Sequence, residues 1–216
     1  MQYPRKGLDS HIDHFSYSEW PEVGEGQTEV EFHLLYQGKL PAAGQSTRAR
    51  EKHDIRKVFH IQLGSLWNTQ PFLASFRKQH PGDELADRYS RCGYRFLPLI
   101  SQWFMLSCAL DVLFLRRDGP GSLVRSGGDI DNRVKVLFDA LRMPQTCDEV
   151  CGDSPAADEN PFFCLLEDDK LISKVQVETN WLLTPPAPTE HIHEVHLMIR
   201  VKTIVASSAR YEAAFQ

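Results

Sequence analysis

Hydrophobic and polar residues follow two different periods along this chain, and each period predicts one kind of secondary structure. Apolar residues at every second position indicate strands at 28–36, 172–183 and 192–205. In the last of these strands, one face carries Val195, Leu197, Ile199 and Val201. We therefore expect this face to lie against the core.

Helical periodicity appears in two regions. From about Glu51, positions of one face recur every three or four residues, at Ile55, Val58, Phe59, Gln62, Leu63 and Leu66. Pro71 interrupts this pattern, and a second helical piece is predicted to end near Gln79. A further helix is predicted at 131–142. Its apolar stripe, which should dock on the sheet, consists of Val134, Leu137, Phe138 and Leu141.

The remaining segments complete a mixed architecture. Residues 94–115 are rich in aromatic and aliphatic side chains and predict two strands, or one strand with a bend near Ser101. Residues 143–161 have loop composition and indicate an insertion, after which an apolar run at 162–166 leads into carboxylates. The order strand, helix, strands, helix, strands predicts an α+β fold in which a mixed β-sheet packs against α-helices.

Length and composition favour a single soluble domain. The chain has 216 residues, of which 42% are hydrophobic and 25% charged, as in ordinary globular proteins. We expect one domain at 26–206, flanked by polar tails at 1–25 and 207–216. No apolar run is long enough to cross a bilayer, and the first residues lack the apolar core of a secretory signal. These features predict a cytoplasmic protein that does not bind membranes.

The charge of the chain bears on whether it binds nucleic acid. The net charge of −5 counts against a nucleic-acid partner, because proteins that bind phosphates are usually basic. Basic residues nevertheless gather at 48–57, 88–95 and 116–125, so a local basic surface stays open as an alternative.

The five cysteines form no dense pattern, and their odd number without a secretory signal predicts reduced thiols.

The stretch GGDIDNRVKVLFDALRMP, residues 127–144, concentrates charge on a helix that otherwise has the pattern of a buried one. Asp131, Lys135 and Asp139 are four residues apart, so they line a side of the helix that differs from the apolar stripe. Asp129 is placed to cap the helix start, close to Asp131. Two neighbouring carboxylates repel each other, and a divalent cation relieves that repulsion.

A second acidic group strengthens the case for a metal. Glu167, Asp168 and Asp169 precede the strand at 172–183 and could complete a site from another element. Oxygen ligands select a hard ion, and Mg²⁺ commonly takes one or two carboxylates while keeping waters for a substrate phosphate. The simpler interpretation is a helix cap with surface charges. The two acidic groups, the interleaved Lys135 and the glycine-rich approach together favour the metal site.

These residues resemble a known family, the RusA-like endodeoxyribonucleases, which are Holliday-junction resolvases. GDIDNRVKVLFDAL followed by EDDKLI is similar to the family pattern of D-x-D-N, a lysine one turn later, D-A-L and a later D-D pair. The resemblance covers about residues 110–180. The chain departs from the family in its cysteine-containing segment at 143–161, its longer N-terminal region and its acidic net charge.

The resemblance implies a metal-dependent, structure-specific endodeoxyribonuclease that cleaves phosphodiester bonds in branched DNA, such as Holliday junctions, during recombination or repair. Mg²⁺ would be the cofactor, with Mn²⁺ as an alternative. The implied catalytic residues are Asp129, Asp131, Lys135 and Asp169. The implied metal ligands are Asp129, Asp131, Asp168 and Asp169.

The same resemblance implies how the DNA is held. Lys135 would contact the scissile phosphate, and Asp139 would hold Lys135 as its i, i+4 partner. Backbone phosphates would be contacted by Arg117, Arg125, Arg133 and Lys135. The family's resolvases act as homodimers, because two active sites must cut two strands of a nearly symmetric junction.

Other functions fit part of the same pattern. The chain could be a catalytically inactive RusA-like subunit that binds DNA or supports assembly, or a metal-dependent nuclease without a preference for junctions. Cys147, Cys151 and Cys164 could bind zinc with a histidine such as His191 or His193. Free cysteines in a loop are the simpler interpretation of that group.

Overall fold

A computed structural model describes residues 30–40, 48–79, 84–117, 130–185 and 194–205. The predicted tails at 1–25 and 207–216 lie outside these ranges, as do Asp129 and Arg125. His191 and His193 of the zinc hypothesis also lie outside them.

Helices and strands alternate irregularly along the described residues. In chain order they are β1 (Glu31–Lys39), α1 (Arg48–Thr69), α2 (Pro71–Gln79), α3 (Glu84–Arg88), β2 (Ser90–Arg91), β3 (Tyr94–Ile100), β4 (Leu106–Arg116), α4 (Ile130–Leu141), β5 (Phe162–Leu166), β6 (Ile172–Trp181) and β7 (Glu194–Val205). Short 3₁₀ turns at Cys147–Val150 and Asp169–Leu171 precede β5 and β6.

Two sheets with mixed strand directions confirm the predicted α+β fold. The larger sheet has the order β1-β7-β4-β6, in which β4 and β6 are parallel and the other neighbours are antiparallel. The smaller sheet has the order β2-β3-β5, with β3 parallel to β5. The alternative of two strands at 94–115 is the correct one, because a tight turn that starts at Ser101 separates β3 from β4.

The core lies between the larger sheet and the helices. The predicted face of β7 is buried, and so is the matching face of β4, formed by Cys108, Leu110, Val112 and Phe114. Helix α1 approaches β5 so closely that a Cβ atom on Gly64 would lie 3.1 Å from the Phe163 ring. An alanine at position 64 would therefore require the Phe163 ring to shift by a few tenths of an ångström.

The buried side of α1 differs from its predicted apolar face. Val58 is 39% exposed, whereas His53, Arg56 and His60 are buried. The prediction for Val58 is wrong because polar side chains with hydrogen-bond partners occupy positions that hydrophobic periodicity alone assigns to solvent. None of the described helices is both long and apolar enough to span a membrane.

Candidate functional site

Helix α4, which carries the aspartate motif, is fixed at both ends. Near its start, Arg133 Nη1 donates a hydrogen bond of 2.6 Å to the carbonyl oxygen of Leu40, just after β1. After its last turn, the backbone N–H of Met143 donates to the carbonyl oxygen of Leu166 at 2.9 Å. The buried face between these points consists of Val136, Leu137, Ala140 and Leu141. The opposite face is therefore presented in a fixed orientation.

Asp131, Lys135 and Asp139 of α4 do not share one environment. Asp131 and Lys135 are exposed, and neither forms an ion pair with any residue that the structure describes. Asp139 is half-buried, accepting from Lys52 Nζ at 2.8 Å and from Arg142 Nη2 at 2.9 Å. The predicted pairing of Asp139 with Lys135 is wrong. Each step of four residues rotates a side chain by about 40°, and this turns Asp139 toward α1.

The pKa of Asp139 reflects these partners. Burial alone would raise the pKa of the carboxyl group, but the hydrogen bond from Lys52 and the positive charge of Arg142 lower it below its usual value. Asp139 therefore stays ionised and ties α4 to α1.

The three acidic residues after β5 lie in different environments. Glu167 Oε2 accepts hydrogen bonds from the Tyr89 hydroxyl at 3.1 Å and from the backbone N–H of Gln102 at 2.8 Å. Asp168 Oδ1 accepts from the backbone N–H of Lys170 at 3.0 Å and so caps the following 3₁₀ turn. Asp169 is exposed, and its carboxylate has no described partner.

The two predicted halves of the metal site belong to elements that touch. Cα atoms of α4 and of the Asp169–Leu171 turn approach within 8 Å of each other. Within the described ranges, no three His, Cys, Asp or Glu side chains lie close enough to hold a metal ion. Asp129, the first predicted ligand, is outside those ranges. The ligand set Asp129, Asp131, Asp168 and Asp169 therefore stays a prediction.

The described part of the basic cluster, from Arg50 to Lys57, is paired with acidic residues of the protein itself. Its partners come from α4 and from the insertion at 143–161, so the insertion lies on α1. The ion pairs are Arg50–Asp153 at 2.6 Å, Lys52–Asp139 at 2.8 Å, Arg56–Glu149 at 3.4 Å, and Lys57 with Asp153 and Glu159, both at 3.4 Å. Because these four cations are already paired within the protein, they do not form an open surface for phosphates.

Arg56 is the buried centre of that network. Its Nε donates to the carbonyl oxygen of Arg142 at 3.0 Å, and its Nη2 donates to the carbonyl oxygen of Asp139 at 2.8 Å. Its Nη1 lies 3.2 Å from Nδ1 of His53, which accepts only when the imidazole is neutral. Burial, with Arg56 and Lys57 nearby, lowers the pKa of His53 to about 4. His53 is therefore neutral in the folded protein near pH 7.

The cluster at 88–95 is also used within the protein. Arg88 stacks over the Trp103 ring at 4.0 Å, Arg91 donates to the carbonyl oxygen of Pro144 at 3.1 Å, and Arg95 pairs with Asp87 at 2.6 Å. Of the predicted DNA contacts, Arg117 follows the end of β4, Arg133 is tied to Leu40, and Lys135 is exposed. Their contact with DNA stays a prediction.

The cysteines correct one expectation. Cys92 and Cys147 form a disulfide across 55 residues, so the prediction of reduced thiols is wrong for this pair. The disulfide joins the β2–β3 turn to the start of the insertion. Cys147 therefore has no free thiolate with which to bind zinc. Cys164 is buried, and burial raises the pKa of its thiol to about 12. Sequence spacing gave no signal for this pairing, because the two cysteines meet only in the folded chain.

Comparisons of this chain with protein-family models, with curated proteins and with solved structures found no match.

Proposed function

We propose that the protein is a metal-dependent, structure-specific endodeoxyribonuclease that cleaves branched DNA, such as Holliday junctions. In this proposal it resembles the RusA-like resolvases and acts in the cytoplasm as a homodimer, in recombination or repair. Mg²⁺ is the proposed cofactor, with Mn²⁺ as an alternative.

A contrast between engaged and exposed carboxylates carries the proposal. Around α1 and the insertion, Asp139, Glu149 and Asp153 are each occupied by cationic partners. Asp131 lies on α4 and Asp169 in the turn that approaches α4, and both are exposed without a described partner. Since the fold does not use these two carboxylates, they are available for a ligand.

The donor set suits a hard divalent ion. Carboxylate oxygens of Asp131 and Asp169, with Asp129 and Asp168, would hold Mg²⁺ and leave positions for water and a phosphate oxygen. A bound Mg²⁺ supplies an acidic water and neutralises charge on the phosphoryl group. Lys135, one turn after Asp131 and exposed, would hold the scissile phosphate as a point charge.

The role of Asp168 is the weaker part of this set, because one of its oxygens already accepts from Lys170 N–H. Its second oxygen lies 3.9 Å from Lys170 Nζ. We propose that Asp168 orients Asp169 through the capped turn. Asp169 is then the main ligand from this segment.

A cleavage assay tests the proposal. A labelled four-way junction and a linear duplex of the same sequence are incubated with the protein in Mg²⁺, in Mn²⁺ or in EDTA. Asp131→Asn is compared with the parent, and Asp139→Asn serves as the matched control on the same helix.

The expected result is metal-dependent cleavage of the junction by the parent, lost in Asp131→Asn while junction binding persists. Equal cleavage of both substrates would favour a nuclease without junction preference. Binding without cleavage by the parent would favour an inactive DNA-binding subunit. If the parent neither binds nor cleaves the junction, the proposal is wrong.

A further inference from the structure

The two edges of the larger sheet differ in whether another element covers them. At the β1 edge, the Gln62 side chain takes the place of a neighbouring strand: its Oε1 accepts from the Leu35 backbone N–H at 2.9 Å, and its Nε2 donates to the Leu35 carbonyl oxygen at 2.7 Å. Helix α1 thus covers the middle of this edge. Covering an edge prevents it from pairing with another chain.

The β6 edge has no comparable cover among the described elements. Strand β6 pairs with β4 along one side, and it is the last strand of the sheet on the other side. All residues from Ser173 to Gln176 are exposed. Val175 and Trp181 are 42% and 52% exposed, although both stand beside buried residues of β4. A long edge strand with exposed apolar side chains is a template for strand pairing.

The β6 sequence is complementary to itself in one antiparallel register. If Gln176 lies on a two-fold axis, Lys174 of each copy stands opposite Glu178 of the other, and Val175 stands opposite Val177. Residues of one face then meet residues of the same face, as a continuous sheet requires. Shifting the axis by one residue, to Val177, would set Lys174 against Asn180 and leave Glu178 opposite Gln176.

We propose that a second copy of this chain pairs with the β6 edge, antiparallel and centred on Gln176, and joins the two four-stranded sheets into one. Opposite charges across the pair offset the barrier that Lys174 alone would present to an incoming strand, because lysine on an edge normally discourages pairing. The two-fold symmetry closes the assembly at two copies. This pairing supplies an interface for the homodimer of the proposed function and rests on it in that respect, but it does not depend on nuclease activity, so loss of the dimer and loss of cleavage are measured separately.

Charge reversal and charge exchange test the register. Lys174→Glu and Glu178→Lys each replace two attractive pairs by two repulsive ones, and the double variant K174E/E178K restores attraction with the signs exchanged. Lys78→Glu on α2 is the control, because Lys78 is exposed and remote in sequence from β6. Sedimentation velocity of the full chain, from about 1 to 100 μM, measures the dimer dissociation constant.

We expect a dimer for the parent, for the control and for the double variant. Each single variant should raise the dissociation constant at least about tenfold. Circular dichroism of all four variants checks that they fold. A monomeric parent at every concentration would overturn the proposal, as would single variants that dimerise like the parent. Loss of dimer in both single variants without recovery in the double variant would overturn the register.

Discussion

The two halves of α4 use the same residue types in opposite ways. In the last turns, Asp139 accepts from two cations, and Arg142, which follows the helix, is buried and contacts Glu149. In the first turns, Asp131 and Lys135 face solvent without a described ion-pair partner. One half joins α1 and the insertion into a network, and the other half presents Asp131 and Lys135 to solvent.

This difference separates structural charge from available charge. A carboxylate that accepts several hydrogen bonds is stabilised in its ionised form and contributes to folding. An exposed carboxylate contributes little to stability, so its presence in a dense motif favours a functional explanation. We therefore expect the first half of α4 to take part in the reaction and the second half to stabilise the fold.

Removing the centre of the buried network should have the largest effect. Arg56 is 1% exposed and bonds to α4, the insertion and His53, so Arg56→Met leaves Glu149 and two carbonyl oxygens without this donor. We expect the free energy of unfolding in urea to fall by about 3–5 kcal/mol. Lys135→Met, on the exposed half, should change it by less than about 0.5 kcal/mol. If both variants lowered the free energy of unfolding by similar amounts, the distinction between the two halves of α4 would be wrong.

The paired aspartate variants should separate activity from stability. Asp131→Asn should lower the metal-dependent cleavage rate by roughly 10²–10³-fold, because a charged ligand is lost at the reacting phosphate. Its free energy of unfolding should stay within about 0.5 kcal/mol of the parent. Asp139→Asn should instead lower that free energy by about 1–3 kcal/mol, since Lys52 and Arg142 lose a charged acceptor.

Single-turnover cleavage and urea denaturation of the same preparations provide the measurements. The reverse pattern, with Asp139 required for cleavage and Asp131 for stability, would contradict the assignment of the two halves.

Reducing the Cys92–Cys147 bond should loosen the insertion more than the exposed half of α4. The bond closes a segment of 55 residues, and Cys92→Ser should lower the free energy of unfolding by about 2–4 kcal/mol in non-reducing buffer. Cys151→Ser is the control, because Cys151 is a free thiol. With a dithiol reductant, the parent should match Cys92→Ser. Alkylation of the untreated protein that labels all five cysteines would show that the bond is absent.

Acid should weaken the network in a defined window. The pKa of His53 is lowered to about 4, mainly by burial and then by Arg56 and Lys57, while Asp153 and Glu159 act in the opposite sense. An unfolded histidine binds a proton near pH 6.5, so the unfolded state gains protons first. Stability is therefore complete above pH 6.5 and falls toward pH 4, by up to about 1.4 kcal/mol per pH unit for this group.

His60 should add to this acid sensitivity. Burial lowers its pKa as well, and its Nδ1 accepts from the backbone N–H of Phe163 at 2.8 Å, which a protonated ring could not do. Proton NMR of the histidine rings gives both titrations directly. A midpoint of 6.5 or above for His53 would contradict its place in the network.

Local patterns predicted most of the secondary structure. The alternation in β7 identified its buried face, and the proline at position 71 marked the break between α1 and α2. These features depend on neighbours within a few residues, which is the range over which periodicity carries information. The exposure of Asp131 and Lys135 also agrees with a charged side on an amphipathic helix.

Contacts between distant segments could not be predicted in the same way. Arg50 reaches Asp153 across 103 residues, and Arg56 reaches Glu149 across 93. The insertion looked like a free loop because its composition is polar, but Glu149, Asp153 and Glu159 form ion pairs with α1. Charge clusters in a sequence do not reveal whether they face solvent or each other.

The side chain of Gln62 has a further consequence for assembly. A sheet that can grow at one end forms closed pairs, whereas a sheet open at both ends can add copies without limit. By occupying the Leu35 amide and carbonyl, one glutamine on α1 blocks that second direction of growth. Replacing Gln62 would expose these two backbone groups and so remove one barrier to growth of the sheet at the β1 edge.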